Sequence, residues 1–235
     1  MIGFIVMGGS AAMETYWHRH LPEGEEAATT RVPFHRATYR GLMEMTDRVP
    51  EAARILAEAR PGVIALSSFT GSCIRGNELV NMIQQATGIP AVVPALETVR
   101  YLRLIQAERI ALVTGFEQEL RMLERVFFTN HQIEIPQIVE LPPFAGEDPY
   151  PISQVDYGLV LRRLRQADIR NVDAVVVDLP TFVIEGAVQD EVERLIQVPV
   201  LSMPQVLLWA ALERTGASTE HLSLTKFLSK CSKEA

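Results

Sequence analysis

Short apolar runs without polar alternation recur along the chain, separated by longer stretches of helical periodicity. Ala174-Val175-Val176-Val177 is apolar at four successive positions, the pattern of a strand buried on both faces. Runs of this kind predict strands at Ile2–Met7, Val63–Ser67, Ala91–Val93, Arg109–Thr114, Gln137–Leu141, Ala174–Asp178 and Val198–Leu201. Amphipathic spacing predicts helices over Arg36–Glu58, Arg75–Thr87, Leu96–Gln106, Glu117–Thr129, Ser153–Ala167, Ala187–Ile196 and Pro204–Thr215. Strands joined by crossovers of helix length pair in parallel, so the pattern predicts an α/β chain with parallel sheets.

The pattern also repeats. Ile2-Gly3-Phe4-Ile5-Val6 resembles Ile110-Ala111-Leu112-Val113-Thr114, an offset of 108 (2 to 110). Val63-Ile64-Ala65-Leu66-Ser67 resembles Ala174-Val175-Val176-Val177-Asp178, an offset of 111 (63 to 174), which also pairs Thr70 with Thr181. Ile89-Pro90 and Val198-Pro199 follow in the same order. The expected architecture is two similar parallel-sheet α/β halves related by a pseudo-two-fold axis, covering 1–107 and 108–216. The last helices pack back on the first half, and an extension over 217–235 ends in a polar, frayed tail from Ser229. Loops at the carboxyl ends of parallel strands form the ligand crevice, so both halves should line one cleft.

Composition narrows the classes. No apolar run reaches the roughly 18 to 20 residues that span a bilayer. The opening Met1-Ile2-Gly3-Phe4-Ile5-Val6-Met7 lacks a basic flank and reads as a strand rather than a signal peptide. Cys73 and Cys231 are too few for a disulfide framework, which suits a reducing cytoplasm. Acidic residues outnumber basic ones by 29 to 22, leaving a net charge of −7 and no footprint for nucleic acid. Arg162-Arg163-Leu164-Arg165, the densest basic cluster, reads as the solvated face of a helix.

The most informative stretch runs from Ser67 to Gly76. Ser68, Thr70, Gly71 and Ser72 follow a buried strand and precede a helix, so hydroxyls and backbone N–H groups can make a carboxylate or enolate pocket there. Helix capping is the alternative use of the same residues. No Gly-Lys-Ser/Thr follows, so the stretch is no Walker loop. Cys73 is a nucleophile or base if the first helical turn lowers its pKa, and a structural thiol if it is buried. Arg75 either pairs with a substrate carboxylate or lies on the helix surface. Asp178 ends a strand beside apolar Leu179 and Phe182, where a carboxyl with a raised pKa can move protons or cap the next turn. Gly9 and Ser10 end the first strand and can bring backbone N–H groups to a ligand, although the glycine spacing is no nucleotide fingerprint. His18 and His20 lie two positions apart and do not share a helical face, so no metal site is expected.

Several of these stretches resemble the aspartate/glutamate racemase superfamily, in particular its maleate isomerase and arylmalonate decarboxylase branch. Gly3-Phe4-Ile5-Val6 leading to Met13-Glu14-Thr15 is similar to the opening strand and turn. Ser68-Phe69-Thr70-Gly71-Ser72-Cys73-Ile74-Arg75-Gly76 sits where the family has its first catalytic loop. Pro199-Val200, Gln205 and Trp209-Ala210-Ala211-Leu212 resemble the closing motif. The resemblance implies a cofactor-independent enzyme moving protons beside a carboxylate, a homodimer or larger homo-oligomer, and a lid near Tyr16-Trp17-His18-Arg19-His20. It also implies cysteines at the ends of equivalent strands, and here those positions are Ser68 and Leu179. Phe116 stands at a tyrosine position, and Ser10 and Pro204 at asparagine positions. A hydroxyl is a far weaker acid than a thiol, and Leu and Phe carry no transferable proton.

The expected function is an isomerase or lyase, of decarboxylase or hydro-lyase type, acting next to a carboxylate of a small organic acid without the two-cysteine mechanism. Ser68, Asp178 and Cys73 are its candidate catalytic residues. Ser10, Gly9, Thr70, Gly71, Ser72, Arg75, Phe116, Leu179, Pro180, Thr181 and Gln205 are its candidate substrate contacts. A catalytically inactive carboxylate-binding or regulatory member of the fold is the alternative.

Overall fold

The predicted strand at Ile2–Met7 forms, and it lies inside one of two four-stranded sheets in a computed structural model of the chain. The structure describes residues 1–141, 157–167, 169, 171–179, 183, 191–192 and 194–234. The first sheet has the order β2 (Ala27–Val32), β1 (Ile2–Met7), β3 (Val63–Leu66), β4 (Ala91–Val92). The second repeats it as β6 (Glu134–Glu140), β5 (Arg109–Thr114), β7 (Ala174–Asp178), β8 (Val200–Ser202). Every neighbouring pair is parallel. The two halves therefore share one strand order, as the internal repeat predicts.

Burial on both faces explains the unbroken apolar runs. Ile2, Phe4 and Val6 of β1 join Ile110 and Leu112 of β5 and Val176 of β7 in one core cluster. Their neighbours Ile5, Ala111, Val113, Val175 and Val177 pack into the other. Each fully buried aliphatic side chain contributes about 1.5–3 kcal/mol of transfer free energy.

The helices are α1 (Ala11–His20), α2 (Tyr39–Thr46), α3 (Val49–Ala57), α4 (Phe69–Thr87), α5 (Pro94–Leu104), α6 (Gln118–Asn130), α7 (Tyr157–Gln166), α8 (Met203–Thr215) and α9 (Ser223–Glu234). Of the helix expected over Ala187–Ile196, 187–190 and 193 lie outside the described residues. α8 leaves the second sheet and packs against α5, β3, β1 and α1 of the first half. Its residues from Met203 to Leu212 are all buried. Trp209 meets Tyr101 edge-on at 5.2 Å, with the Arg100 guanidinium 4.2 Å from the Trp209 ring centre.

Four expectations change. β2 was not predicted, because an edge strand with a half-exposed, polar sequence carries no apolar run. β6 starts three residues before the predicted Gln137, and Pro136 is tolerated because β6 is an edge, with the register shifting between Arg109 and Ala111. The single helix expected over Arg36–Glu58 is two, with Pro50 in the first turn of α3. The expected frayed tail is instead helical to Glu234: Leu222 and Leu224 are buried, and the Tyr101 hydroxyl donates to the Leu224 carbonyl at 2.9 Å.

The aromatic lid is also corrected. α1 presents Met13, Tyr16 and Trp17 to the core, and Trp17 stacks on Phe4 with ring centres 3.7 Å apart. His18 remains exposed, and His20 stacks on Tyr16 with its ring nitrogen 2.9 Å from the Tyr16 carbonyl. Among the described residues no helix is long and apolar enough to cross a membrane, and none groups three or more potential metal ligands.

Candidate active site

The Ser67–Gly76 stretch is mostly helix. α4 begins at Phe69, six residues before the predicted Arg75, and is kinked at Arg75, where φ is −128° and ψ is 28°. Only Ser67 and Ser68 bridge β3 to this helix. The Ser67 amide donates to the Ile5 carbonyl at 2.8 Å, which carries the backbone out of the sheet beside β1. Ser68 occupies the N-cap position, yet its side chain caps nothing. Both serine hydroxyls are buried without a hydrogen-bond partner among the described residues. Such groups are uncommon in folded proteins because each forfeits its hydration.

At the second position of α4, Thr70 reaches the second half. Its hydroxyl oxygen lies 2.7 Å from Asp178 Oδ2 and 2.9 Å from Glu124 Oε1. Asp178 is the last residue of β7, and Glu124 lies on the inner face of α6. All three are buried: Glu124 is 0%, Asp178 2% and Thr70 2% exposed. A hydroxyl carries one hydrogen, and an ionised carboxylate only accepts. Thr70 can therefore donate to one carboxyl, and the other must be protonated to complete the second contact.

Electrostatics favours the same state. Burial pushes the Glu124 carboxyl well above its usual range, and the charge and hydrogen bonding of Asp178 push it further, while Thr70 and Arg121 oppose the rise. Burial also raises Asp178, but hydrogen bonds from Glu124 and Thr70 work to keep it ionised. The two buried carboxyls thus form one coupled pair in which one keeps its proton.

Glu124 is the residue that sequence reasoning missed. The signal was present, since Leu120, Glu124 and Phe128 recur every fourth position and all are buried. A carboxyl on that stripe had to face the interior.

Cys73 is part-buried and packs against the inner core. It lines a cavity of about 260 Å³ with Arg75, Leu96, Phe127 and His131. Of the two readings of Cys73, the buried thiol fits, because burial raises its pKa and the charges of Glu124 and Asp178 raise it further. Cys73 is a neutral thiol, poorly suited to act as nucleophile or base.

The remaining candidates divide. Arg75 is committed to protein: it reaches Asp47 at 2.6 Å and Thr46 at 3.0 Å, and pairs with Glu78. The Ser72 hydroxyl donates to the Phe69 carbonyl at 2.7 Å and accepts from the Ala95 amide at 3.0 Å, bracing α4 against α5. Gln205 forms a capping box with Ser202 and donates to Ser223 at 3.3 Å. Gly71 packs against Ser68, whose Oγ would lie 2.5 Å from an added Cβ. Leu179, next to Asp178, is fully buried. Phe116 lines a cavity of about 320 Å³ with Arg121 and Glu140. Ser10 is buried at the start of α1, with Gly9 exposed beside it. Pro180 and Thr181 lie outside the described residues.

Two half-sized parallel sheets with one shared strand order define a known class of fold. The chain is similar to the Nocardia farcinica maleate cis-trans isomerase, solved as a cysteine-to-serine variant with a covalently bound succinylcysteine intermediate. That match has a TM-score of 0.86 and 20% identity, over 97% of this chain and 98% of that one. The maleate isomerase Iso from Pseudomonas putida S16, solved as a cysteine variant with maleate, matches at a TM-score of 0.82 and 19% identity over 95% and 94%. Arylmalonate decarboxylase matches at 0.77 and 19% over 96% and 99%. At such identities the likeness is one of fold. Comparison with curated proteins gives no match. The family model for arylmalonate decarboxylase matches residues 21–228, and the chain belongs to that family.

Proposed function

We propose that the chain is an isomerase or lyase acting next to a carboxylate of a small organic acid through an enolate-like species, without the two-cysteine mechanism. The observation that carries this reading is the Thr70–Asp178 hydrogen bond, which joins the start of α4 to the end of β7 and sets a proton-bearing acid pair at the helix that Ser67 and Ser68 lead into. Ser67 and Ser68, with the free amides at the start of α4, are suited to stabilise the enolate charge. In isomerisation, a proton leaves the carbon beside the carboxylate for Asp178, and the C–H electron pair spreads into the carboxylate. The proton then returns to another carbon or face. In decarboxylation, the C–C bond to the leaving carboxylate breaks, carbon dioxide departs with no electrons of that bond, and the enolate takes a proton from the acid pair, which water replenishes. In this reading the chain works in the cytoplasm as a homodimer or larger homo-oligomer, needing no cofactor.

The experiment is nuclear magnetic resonance in deuterated water with a panel of malonates, unsaturated diacids and hydroxy acids. Deuterium entering the carbon beside a carboxylate, with or without net turnover, is the expected result. A second reading, a catalytically silent carboxylate binder, draws on the buried, apolar Leu179 and Phe116. Ligand binding with neither exchange nor turnover across the panel would decide for it.

A further inference from the structure

We propose that Glu124 is a positioning residue that holds the shared proton of a two-carboxyl, one-proton unit with Asp178 and thereby sets the protonation state of Asp178 for the reaction. The catalytic part of this inference rests on the function proposed above; the shared proton itself does not.

Geometry carries the argument. Thr70 has one hydrogen for two carboxyl neighbours, at 2.7 and 2.9 Å, so the trio is satisfied only while one carboxyl keeps its proton. Among the described residues, the second oxygen of Glu124, Oε2, is buried with no hydrogen-bond donor, so an ionised Glu124 would hold charge there uncompensated. The groups acting on the pair are few. α4 contributes Thr70 and the neutral Cys73, β7 contributes Asp178, and α6 contributes Arg121 one turn before Glu124. Arg121 is drawn outward by Glu140, 2.5 Å away. No thiol then has to carry the proton. Asp178 accepts it as a carboxylate, and Glu124 acts on it through Thr70, donating to the hydroxyl that in turn donates to Asp178. Two carboxyls that share a site cannot both ionise cheaply, which places the second ionisation of such a pair high.

The test uses the full chain and three conservative variants, Glu124→Gln, Asp178→Asn and Thr70→Ser. Infrared difference spectroscopy at neutral pH should show a protonated-carboxyl carbonyl band in the wild type and in Thr70→Ser, and none in Glu124→Gln. A wild type without the band, or a band untouched by Glu124→Gln, overturns the shared proton. With an acid that exchanges deuterium, Asp178→Asn should lower kcat about 100-fold or more. Glu124→Gln should lower kcat about tenfold with KM unchanged, and the upper ionisation of the pair should vanish from its pH profile. An unchanged pH profile in Glu124→Gln assigns the residue to packing and overturns its positioning role. Absence of exchange in the wild type sinks the proposed function and leaves the infrared result to stand or fall by itself.

Discussion

The indole nitrogen of Trp17 donates to the backbone carbonyl of Pro204, 3.1 Å away and 187 positions along the chain. It ties α1 to the first turn of α8, the helix that returns from the second sheet to cover the first. Trp17→Phe keeps most of the stack on Phe4 but leaves that carbonyl with only its intrahelical bond, which should cost about 0.5–1.5 kcal/mol. Trp17→Ala should cost about 3–5 kcal/mol. Urea unfolding, with the midpoint falling and the slope unchanged, measures both.

Glu124 and Asp178 give stability a definite pH dependence. Both carboxyls are raised in the folded chain. The native state therefore keeps protons that the unfolded state has already lost, and stability falls as pH rises from the ordinary carboxylate range through the folded pKa of the pair. Glu78 runs the other way, since its hydrogen bond from Arg75 lowers it, but it is exposed and its share is small. Unfolding measured from pH 4 upward (about where free carboxyls titrate) should show the decline in the wild type and a flatter profile in Glu124→Gln.

Gly71 and Ser68 should be energetically coupled. A Cβ on Gly71 would lie 2.5 Å from Ser68 Oγ and 3.3 Å from its Cβ, so Gly71→Ala has to displace the hydroxyl. The expected cost is about 1–3 kcal/mol. Adding Ser68→Ala should recover part of it, giving a coupling on the order of 1 kcal/mol in a double-mutant cycle. Strict additivity would mean that the two positions do not touch.

Arg75 binds α4 to α2 through Asp47 and Thr46. Arg75→Met should lose about 1 kcal/mol of stability, because its partners Asp47 and Glu78 are largely exposed and regain water. Ligand affinity should not change. A large loss of affinity in calorimetry would return Arg75 to the substrate site.

Cys73 should be slow to alkylate. In a Cys231→Ser chain it is the sole thiol, and its raised pKa keeps it neutral at pH 8. Reaction with iodoacetamide should be far slower than for a free thiol and recover on denaturation. A fast native reaction would mark it as an activated nucleophile.

The chain's own pattern determined the strands buried on both faces, the parallel alternation with helices and the two similar halves. Apolar periodicity records which way each residue must face, and nothing more is needed for those features. The polar edge β2 and the first residues of β6 escaped it, because an edge strand has one free side and needs no apolar run. The site was legible only in pieces: Asp178 stood out as a carboxyl at a strand end, and Thr70 as one hydroxyl among several. Glu124 faced inward by its spacing, but periodicity cannot say what an inward residue meets. Thr70 is separated from Glu124 by 54 positions and from Asp178 by 108. Only the packing of α4 against α6, at the end of β7, brings them within hydrogen-bond reach, and only that enclosure removes the water that would otherwise leave both carboxyls charged.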